Sequence, residues 1–194
     1  MLKWRSRSPL TAADAYKTWS AYMNLKGLIS YGCLMIKPDA YNRGIAADVR
    51  QDILSMCKQY NLEIRGESTK ILATGEVHQI YPDISRKSFV ADFLNLMVSN
   101  YSTAFMLSGE DAINKTKMIR GSQRTKECDE ISGIRGRYCY VADISAEDRR
   151  RLEANYHPDR ERLVEIIIGG VLHASDTPDE VITISKIFNI SLGK

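Results

Sequence analysis

The chain has 194 residues and a mass of 22.0 kDa, the size of one ordinary domain or of one domain with extensions. Hydrophobic residues make up 44% and charged residues 26%, so the composition excludes a disordered tail protein, a collagen-like repeat and a disulfide-rich miniprotein. The 27 Lys and Arg residues against 24 Asp and Glu residues give a net charge of +3, too small an excess to argue for nucleic-acid binding.

No segment of the sequence predicts export or a membrane anchor. Apolar runs stay well short of the ~20 residues that cross a bilayer, and no apolar signal-peptide core follows the basic residues 1–7. The cysteines Cys33, Cys57, Cys128 and Cys139 form no CxxC pair and lack the spacing of zinc sites, so we expect reduced thiols. We therefore predict a cytoplasmic protein without a membrane partner.

Residues 1–28 are predicted to form a helical extension of a domain that fills 29–194. Thr11 is a candidate helix cap, and Ala15, Trp19 and Met23 then recur at helical spacing. This pattern indicates a short amphipathic helix. The simplest interpretation is a helix packed on the domain surface, and a targeting or partner-docking helix is the alternative.

Short apolar runs alternate with stretches of helical spacing along the rest of the chain. Strands are predicted at Tyr31–Ile36, Leu62–Leu72, Ser102–Leu107 and Val164–Leu172. Helices are predicted at Gly44–Lys58, after Thr74 as a cap, at Phe89–Val98, at Asp111–Ile119, and after Thr177 as a cap with Glu180 reaching back. This order favours the α/β (α+β) class. A ferredoxin-like, four-stranded antiparallel sheet with helices packed on it fits the order, but other small α/β folds fit it too.

Three residues with chemical potential lie near predicted element ends. His173 follows an apolar strand and precedes a capped helix, whose first N–H groups bind anions. Lys37 follows the first strand, and Arg135 lies between glycines in a predicted long loop, 121–136. An imidazole is a nucleophile that forms covalent intermediates, and Lys and Arg neutralise phosphate. Each residue alone is more simply a structural histidine or a surface cation.

Four motifs join these residues in one pattern. They are, in chain order, Met35-Ile-Lys-Pro-Asp-Ala-Tyr-Asn-Arg-Gly44, Tyr81-x-Asp-Ile84 with Phe89, Ile134-Arg-Gly-Arg-Tyr-Cys139, and His173-Ala-Ser-Asp176. In these motifs the chain resembles the nucleoside diphosphate kinase family, over roughly 30–139 and 170–188. A Lys-Pro-Asp motif alone is a weak signal, whereas its combination with the later motifs in this order is specific.

The resemblance implies a ferredoxin-like domain with phosphotransferase activity. In that family ATP with Mg²⁺ phosphorylates a histidine, and the phosphohistidine then phosphorylates a nucleoside diphosphate. We therefore expect ATP and Mg²⁺, with the metal held mainly by the nucleotide phosphates and not by protein ligands. The expected partners are a nucleoside di- or triphosphate, or a related small nucleotide, and further copies of the chain, because the family's usual hexamer predicts a homo-oligomer.

Carried over by position, the resemblance implies four catalytic residues. His173 would be the phosphorylated nucleophile, and Lys37 would contact the sugar hydroxyl and the terminal phosphate. Tyr81 would lie beside the histidine, and Ser175 would support the site near it. Phosphoryl transfer depends mostly on positioning and charge stabilisation, so a nucleophile surrounded by cations is chemically sufficient.

The resemblance also implies a nucleotide-binding set. Phe89 would stack on the base, Phe93 would form the other wall of the base slot, and Arg135 would hold phosphates. Two positions depart from the family pattern here. Lys117 stands where the family has a second phosphate-binding Arg, so the charge is kept and the bidentate fork is lost. The family's phosphate-contacting Thr aligns near Gln123, with Arg124 and Thr125 as alternative stand-ins.

Two further departures concern the nucleophile and the sugar. Gly170 stands where the family has an Asn that contacts the sugar hydroxyl. Its place in the nucleotide-binding set is therefore limited to enlarging the sugar pocket, without an amide contact. Ile184 stands where the family has a Glu that orients the histidine through its second ring nitrogen. An apolar side chain cannot accept that hydrogen bond, and Asp179, Glu180 or a water would have to supply it.

An insertion at about 140–168 precedes the catalytic histidine. Two interpretations stay open: the insertion alters the subunit assembly, or it forms a lid over the site. The run Arg149-Arg150-Arg151 within it is most simply a solvated helix face, with phosphate or partner binding as the alternative.

Two functions therefore stay open. The first is a phosphotransferase that moves the γ-phosphoryl group of ATP through a phosphohistidine at His173 to a nucleoside diphosphate or related nucleotide, with altered or pathway-dedicated specificity as a subtype. The second is a nucleotide-binding or scaffold protein of the same fold with weak or no kinase activity. The retained His173 and Arg135 favour the enzyme, and the departures at Gly170, Ile184 and Lys117 favour the binding protein. A nucleic-acid-binding protein is the weakest reading, since it rests only on the charge excess and the Arg run.

Overall fold

The structure is a computed structural model that describes residues 30–121, 133–138 and 170–192. The predicted helical extension (1–28), Gln123 and the insertion at about 140–168 lie outside the described residues. Cys128 and Cys139 lie outside them as well. The described ranges contain all four predicted sequence motifs apart from Cys139.

The fold is built on a four-stranded sheet with the order β2-β3-β1-β4. Its strands are β1 (Ser30–Ile36), β2 (Glu63–Ile71), β3 (Tyr101–Gly109) and β4 (Leu172–Ala174). All three pairings are antiparallel. This arrangement confirms the predicted α/β (α+β), ferredoxin-like architecture.

Seven helices and one short 3₁₀ helix pack on the described part of this sheet. They are α1 (Pro38–Asn42), α2 (Ala46–Gln59), α3 (Thr74–Ile80), the 3₁₀ helix Pro82–Arg86, α4 (Val90–Met97), α5 (Ala112–Arg120), α6 (Gly133–Tyr138) and α7 (Pro178–Ile187). The sequence pattern missed α1 and the 3₁₀ helix, because five residues are too few to establish a period.

The central strand β1 is buried on both faces of the sheet. Cys33 and Met35 belong to an apolar cluster with side chains of α3, α4 and α7, whereas Leu34 and Ile36 belong to a second cluster with side chains of α2 and α5. Successive side chains of a strand point to opposite faces, so a strand between two helical layers is apolar at every position. This explains the uninterrupted apolar run of β1.

Three expectations about local structure need correction. The final strand covers Leu172–Ala174, so His173 lies inside it and not past its end; residues 164–169 lie outside the described part. Arg135 belongs to the short helix α6, not to an irregular loop. The cap of α3 is Ala73 rather than Thr74, because the Glu76 carboxylate accepts the Ala73 N–H at 2.9 Å.

The start of α7 follows the prediction closely. Thr177 is its cap, with Oγ1 accepting the Glu180 N–H at 3.2 Å, and Pro178 occupies the first helical position. Glu180 does reach back, but its Oε2 accepts the N–H of Asp176 at 2.6 Å, one residue before the cap. The turn between β4 and α7 is therefore held from both sides.

Candidate active site

Lys37 comes directly after the central strand, at the point where Pro38 ends strand pairing and opens α1. Its N–H still donates to the Val171 carbonyl at 2.9 Å, which ties this end of β1 to the start of β4. The residue is only 4% exposed, so it is not the surface lysine that the sequence alone suggested. Its Nζ lies 5.6 Å from the ring centroid of Phe93, within cation–π range.

His173 lies opposite Met35 in the β1–β4 ladder and is 7% exposed. Facing residues of a ladder share one side of the sheet, so the imidazole lies on the side of α3, α4 and α7. The Tyr81 ring meets it edge-on, with the ring centroids 5.0 Å apart. The same tyrosine contacts Phe93 at 4.9 Å, also edge-on. Burial raises the pKa of Tyr81 far above its ordinary value, so its phenol stays protonated at neutral pH.

A carboxylate of α7 approaches the imidazole. Glu180 Oε1 lies 2.8 Å from His173 Nε2, and the two side chains are 17% and 9% exposed. The approach meets the distance of an ion pair but not the alignment of a hydrogen bond. Catalytic hydrogen bonds are often poorly aligned before substrate binds, so a carboxylate at this distance is placed to bond the ring.

Arg135 is fixed beside the nucleophile's strand. Its Nε donates to the Leu172 carbonyl at 2.9 Å, one residue before His173. Gly170 lies under the same guanidinium: a Cβ added there would be 3.4 Å from Cζ, Nε and Nη2 of Arg135. The glycine therefore leaves open space that any other side chain would partly fill.

One cavity of about 430 Å³ unites most of the predicted site. Six predicted residues line it: Lys37, Tyr81, Phe89, Phe93, Arg135 and His173. Four other charged side chains line it: Asp83, Lys87, Asp176 and Glu180. Asp83 and Asp176 belong to the sequence motifs but had no expected role, Lys87 lies outside the motifs, and Glu180 was one of the expected partners of the histidine.

The remaining predicted residues lie beside this cavity or outside the description. Ser175 is fully buried behind it, where its Oγ accepts the Cys33 N–H at 3.0 Å. Lys117 pairs with Asp176, with Nζ 3.2 Å from Oδ1, so its positive charge offsets the negative charge of a carboxylate that lines the cavity. Gln123 lies outside the described residues.

Asp39, of the Lys-Pro-Asp motif, is a buried acid that the sequence reasoning left without a role. It is 6% exposed, and neither carboxylate oxygen has a hydrogen-bond partner among the described residues. Burial raises the pKa of Asp39, and the charges of Lys37, Arg43 and Arg135 oppose that rise. The acid and these cations thus form one compact charge group next to the nucleophile's strand.

Within 30–121, 133–138 and 170–192 no group of three or more His, Cys, Asp or Glu side chains could hold a metal ion. In the same ranges no helix is long and apolar enough to cross a membrane.

Comparison with known proteins gives one consistent result. Residues 31–189 match the family model described as nucleoside diphosphate kinase. The chain is similar to the nucleoside diphosphate kinase of Thiobacillus denitrificans, with 30% identity over 112 residues, covering 58% of this chain and 75% of that protein. It is also similar to that of Hyperthermus butylicus, with 28% identity over 113 residues and the same two coverages of 58% and 75%.

The fold resembles a solved nucleoside diphosphate kinase from Borrelia burgdorferi, described as a transition-state mimic with bound vanadate and ADP. The TM-score is 0.61 and the identity 18%, covering 86% of this chain and 92% of that one. At this identity the likeness shows the fold alone.

Proposed function

Because the chain belongs to the nucleoside diphosphate kinase family, a family of phosphotransferases, we propose that His173 accepts the γ-phosphoryl group of ATP and passes it to a nucleoside diphosphate or a related nucleotide. One observation carries this proposal: the His173 imidazole lines the same cavity of about 430 Å³ as the cations Lys37 and Arg135 and two phenylalanines. A nucleophile, a phosphate-binding charge and an aromatic surface for a base are thereby combined in one place.

Each half-reaction is a balanced displacement at phosphorus. In the first, a ring-nitrogen lone pair of His173 forms a P–N bond while the bond from the γ-phosphorus to the bridging oxygen breaks, and ADP leaves with that electron pair. In the second, a terminal oxygen of the nucleoside diphosphate attacks the same phosphorus, and the P–N electron pair returns to the ring. The enzyme ends as it began.

The cations stabilise the charge of the transferring group. Lys37 supplies a compact charge at the end of β1, and Arg135 supplies a planar fork from α6. Lys117 offsets the charge of Asp176 and so lowers the repulsion between that carboxylate and phosphate, and Gln123 completes the phosphate-binding set in this proposal. Mg²⁺ would be bound mainly by the phosphates of ATP and would add positive charge beside the transferring group.

The aromatic residues bind the base and pack the histidine. Phe89 and Phe93 line the cavity and form the two walls of the base slot in this proposal. Tyr81 joins this slot to the nucleophile, because its ring contacts both Phe93 and His173. Ser175 acts from behind, by fixing β4 to β1 through Cys33.

The sugar pocket sets the specificity of the proposed enzyme. Gly170 provides no amide for a sugar hydroxyl, so the site should discriminate less between sugars than one that forms this contact. We propose a phosphotransferase with relaxed or altered nucleotide specificity, which a panel of acceptors would identify.

A phosphoenzyme assay tests the function. The protein is incubated with γ-labelled ATP and Mg²⁺, beside His173→Ala and, as a matched control, His78→Ala, whose histidine lies outside the cavity. We expect acid-labile, alkali-stable label on the wild type and the control but not on His173→Ala. A chase with nucleoside diphosphates should then remove the label and identify the acceptor.

The second candidate is a nucleotide-binding or scaffold protein of the same fold with weak or no kinase activity. The full burial of Ile184 favours it, because that side chain cannot orient the histidine. Unlabelled wild type that still binds nucleotide in calorimetry would establish this alternative. Homo-oligomeric assembly, cytoplasmic location and the separate roles of the extension and the insertion stay predictions.

A further inference from the structure

Glu180 lies four residues before the position at which the family resemblance leads us to expect an acid. The expected position, Ile184, is fully buried in the apolar cluster on the side of α3, α4 and α7. Residues 180 and 184 lie on one face of α7, one turn apart, because side chains four positions apart on a helix are neighbours. The carboxylate is therefore present on the same helix face, one turn closer to its start.

Glu180 is held in place independently of the histidine. Its Oε2 accepts the Asp176 N–H at 2.6 Å, and its own N–H donates to Thr177 Oγ1 at 3.2 Å. The carboxylate thus has one oxygen fixed by the backbone and the other, Oε1, 2.8 Å from His173 Nε2. Because these backbone contacts already fix the Glu180 side chain, little further side-chain entropy is lost when its carboxylate orients the imidazole.

We propose that Glu180, one turn earlier on α7 than the expected acid, is the positioning residue of this site: its carboxylate engages Nε2 of His173 and so presents Nδ1 to the phosphoryl group. A histidine ring with a proton on Nε2 facing a carboxylate carries its lone pair on Nδ1. Phosphorylation of Nδ1 places positive charge on the ring, and the Glu180 carboxylate stabilises that charge. This inference rests on the phosphotransferase function proposed above.

The substitution Glu180→Ala tests the proposal, with Glu180→Gln as a second variant that keeps the shape and loses the charge. The matched control is Asp179→Asn, which removes an exposed carboxylate from the same helical turn. Circular dichroism melts show whether each variant is folded. We expect the rate of phosphoenzyme formation to fall about 10- to 100-fold in Glu180→Ala, as for other partners that orient a functional histidine. The rate of phosphoenzyme formation in Glu180→Gln should lie between those of Glu180→Ala and the wild type. The rate in Asp179→Asn should match the wild type.

A spectroscopic readout separates positioning from a merely structural role. Long-range ¹H–¹⁵N spectra report which ring nitrogen of His173 carries the proton, and the same spectra of the phosphorylated protein report which nitrogen carries phosphorus. We expect Nε2–H and Nδ1-phosphate in the wild type, and loss of the single tautomer in folded Glu180→Ala.

The outcomes distinguish this inference from the proposed function. If wild-type protein takes no label, the phosphotransferase proposal itself is wrong. If the wild type is labelled but carries phosphorus on Nε2, or if folded Glu180→Ala keeps both the wild-type rate and the single tautomer, only the role of Glu180 is overturned.

Discussion

Arg135 donates through Nε to the backbone carbonyl of Leu172 at 2.9 Å, and this bond joins the cationic helix α6 to the strand of the nucleophile. One guanidinium nitrogen therefore has a structural role, while the two terminal nitrogens belong to a group that lines the cavity. The backbone of Leu172 therefore fixes the position of the Arg135 guanidinium relative to the imidazole of the next residue, His173.

Replacing Arg135 by Lys should impair phosphoryl transfer more than charge conservation suggests. A lysine cannot both bond the Leu172 carbonyl and present a planar fork to phosphate. We expect phosphoenzyme formation from labelled ATP to slow about 100-fold, the typical cost of losing a preorganised donor. The control is Arg137→Lys on the same helix, whose exposed side chain pairs with Asp52. Equal rates for Arg135→Lys and the wild type would contradict the assignment.

Substitution of Gly170 should change sugar discrimination. A side chain there contacts the guanidinium of Arg135, and Gly170→Asn adds an amide that can bond a sugar hydroxyl. We expect the preference for nucleotides that keep this hydroxyl to rise about 3- to 10-fold, the value of one neutral hydrogen bond. The measurement is kcat/KM for matched nucleotides with and without the hydroxyl. Gly170→Ala adds only the Cβ, and if it raised the preference equally, the amide would have no part.

Loss of the Ser175 hydroxyl should destabilise the fold rather than the chemistry alone. Ser175→Ala leaves the buried Cys33 N–H without its acceptor, at a cost of about 1–3 kcal/mol in the free energy of unfolding. Urea denaturation measures this change. The control is Ser185→Ala, whose hydroxyl only donates to the Ile182 carbonyl within α7. A similar small loss in both variants would show that the β1–β4 bond contributes little.

The buried carboxylate of Asp39 should make stability depend on pH. Because burial raises the pKa of Asp39 in the folded state, the folded protein binds more protons than the unfolded one above the ordinary value of 3.8. This contribution to stability is complete below the unfolded pKa and is lost as pH rises through the folded pKa. The free energy of unfolding of Asp39→Asn, relative to wild type, should therefore increase as pH rises from about 3.5 and level off above the folded pKa. Urea titrations of both proteins across this range would reveal the trend. A relative stability that falls with pH would mean that the nearby cations, not burial, control this acid.

The sequence predicted the elements whose signals are local: the spacing of apolar residues and the residues at helix ends. The apolar run of β1, the spacing of α2 and the Thr177 cap all have short-range signals, and each element lies where it was expected. The capping of α3 at Ala73 could not be predicted, because alanine has no capping side chain. The cap depends on the Glu76 carboxylate, which accepts the Ala73 N–H and also pairs with Lys70.

Six residues named from the sequence motifs line one cavity, and their roles there stay predictions. The contact partner of His173 could not be predicted from the sequence. The contact with Glu180 forms across a tight turn, and Asp179 was equally acceptable until the backbone of α7 fixed which carboxylate faces the ring. The burial of Asp39 could not be predicted either, because a motif gives the position of a residue along the chain and not its depth in the fold.

The double burial of β1 also limits how this protein can acquire new specificity. A change at Met35 or Leu34 alters the volume available to helices on one side of the sheet, and the ladder then transmits the displacement to the strand carrying His173. Gly170 belongs to neither apolar cluster, so a change there avoids this packing penalty. Directed evolution toward other acceptors should therefore accumulate mutations at Gly170 and leave the central strand unchanged.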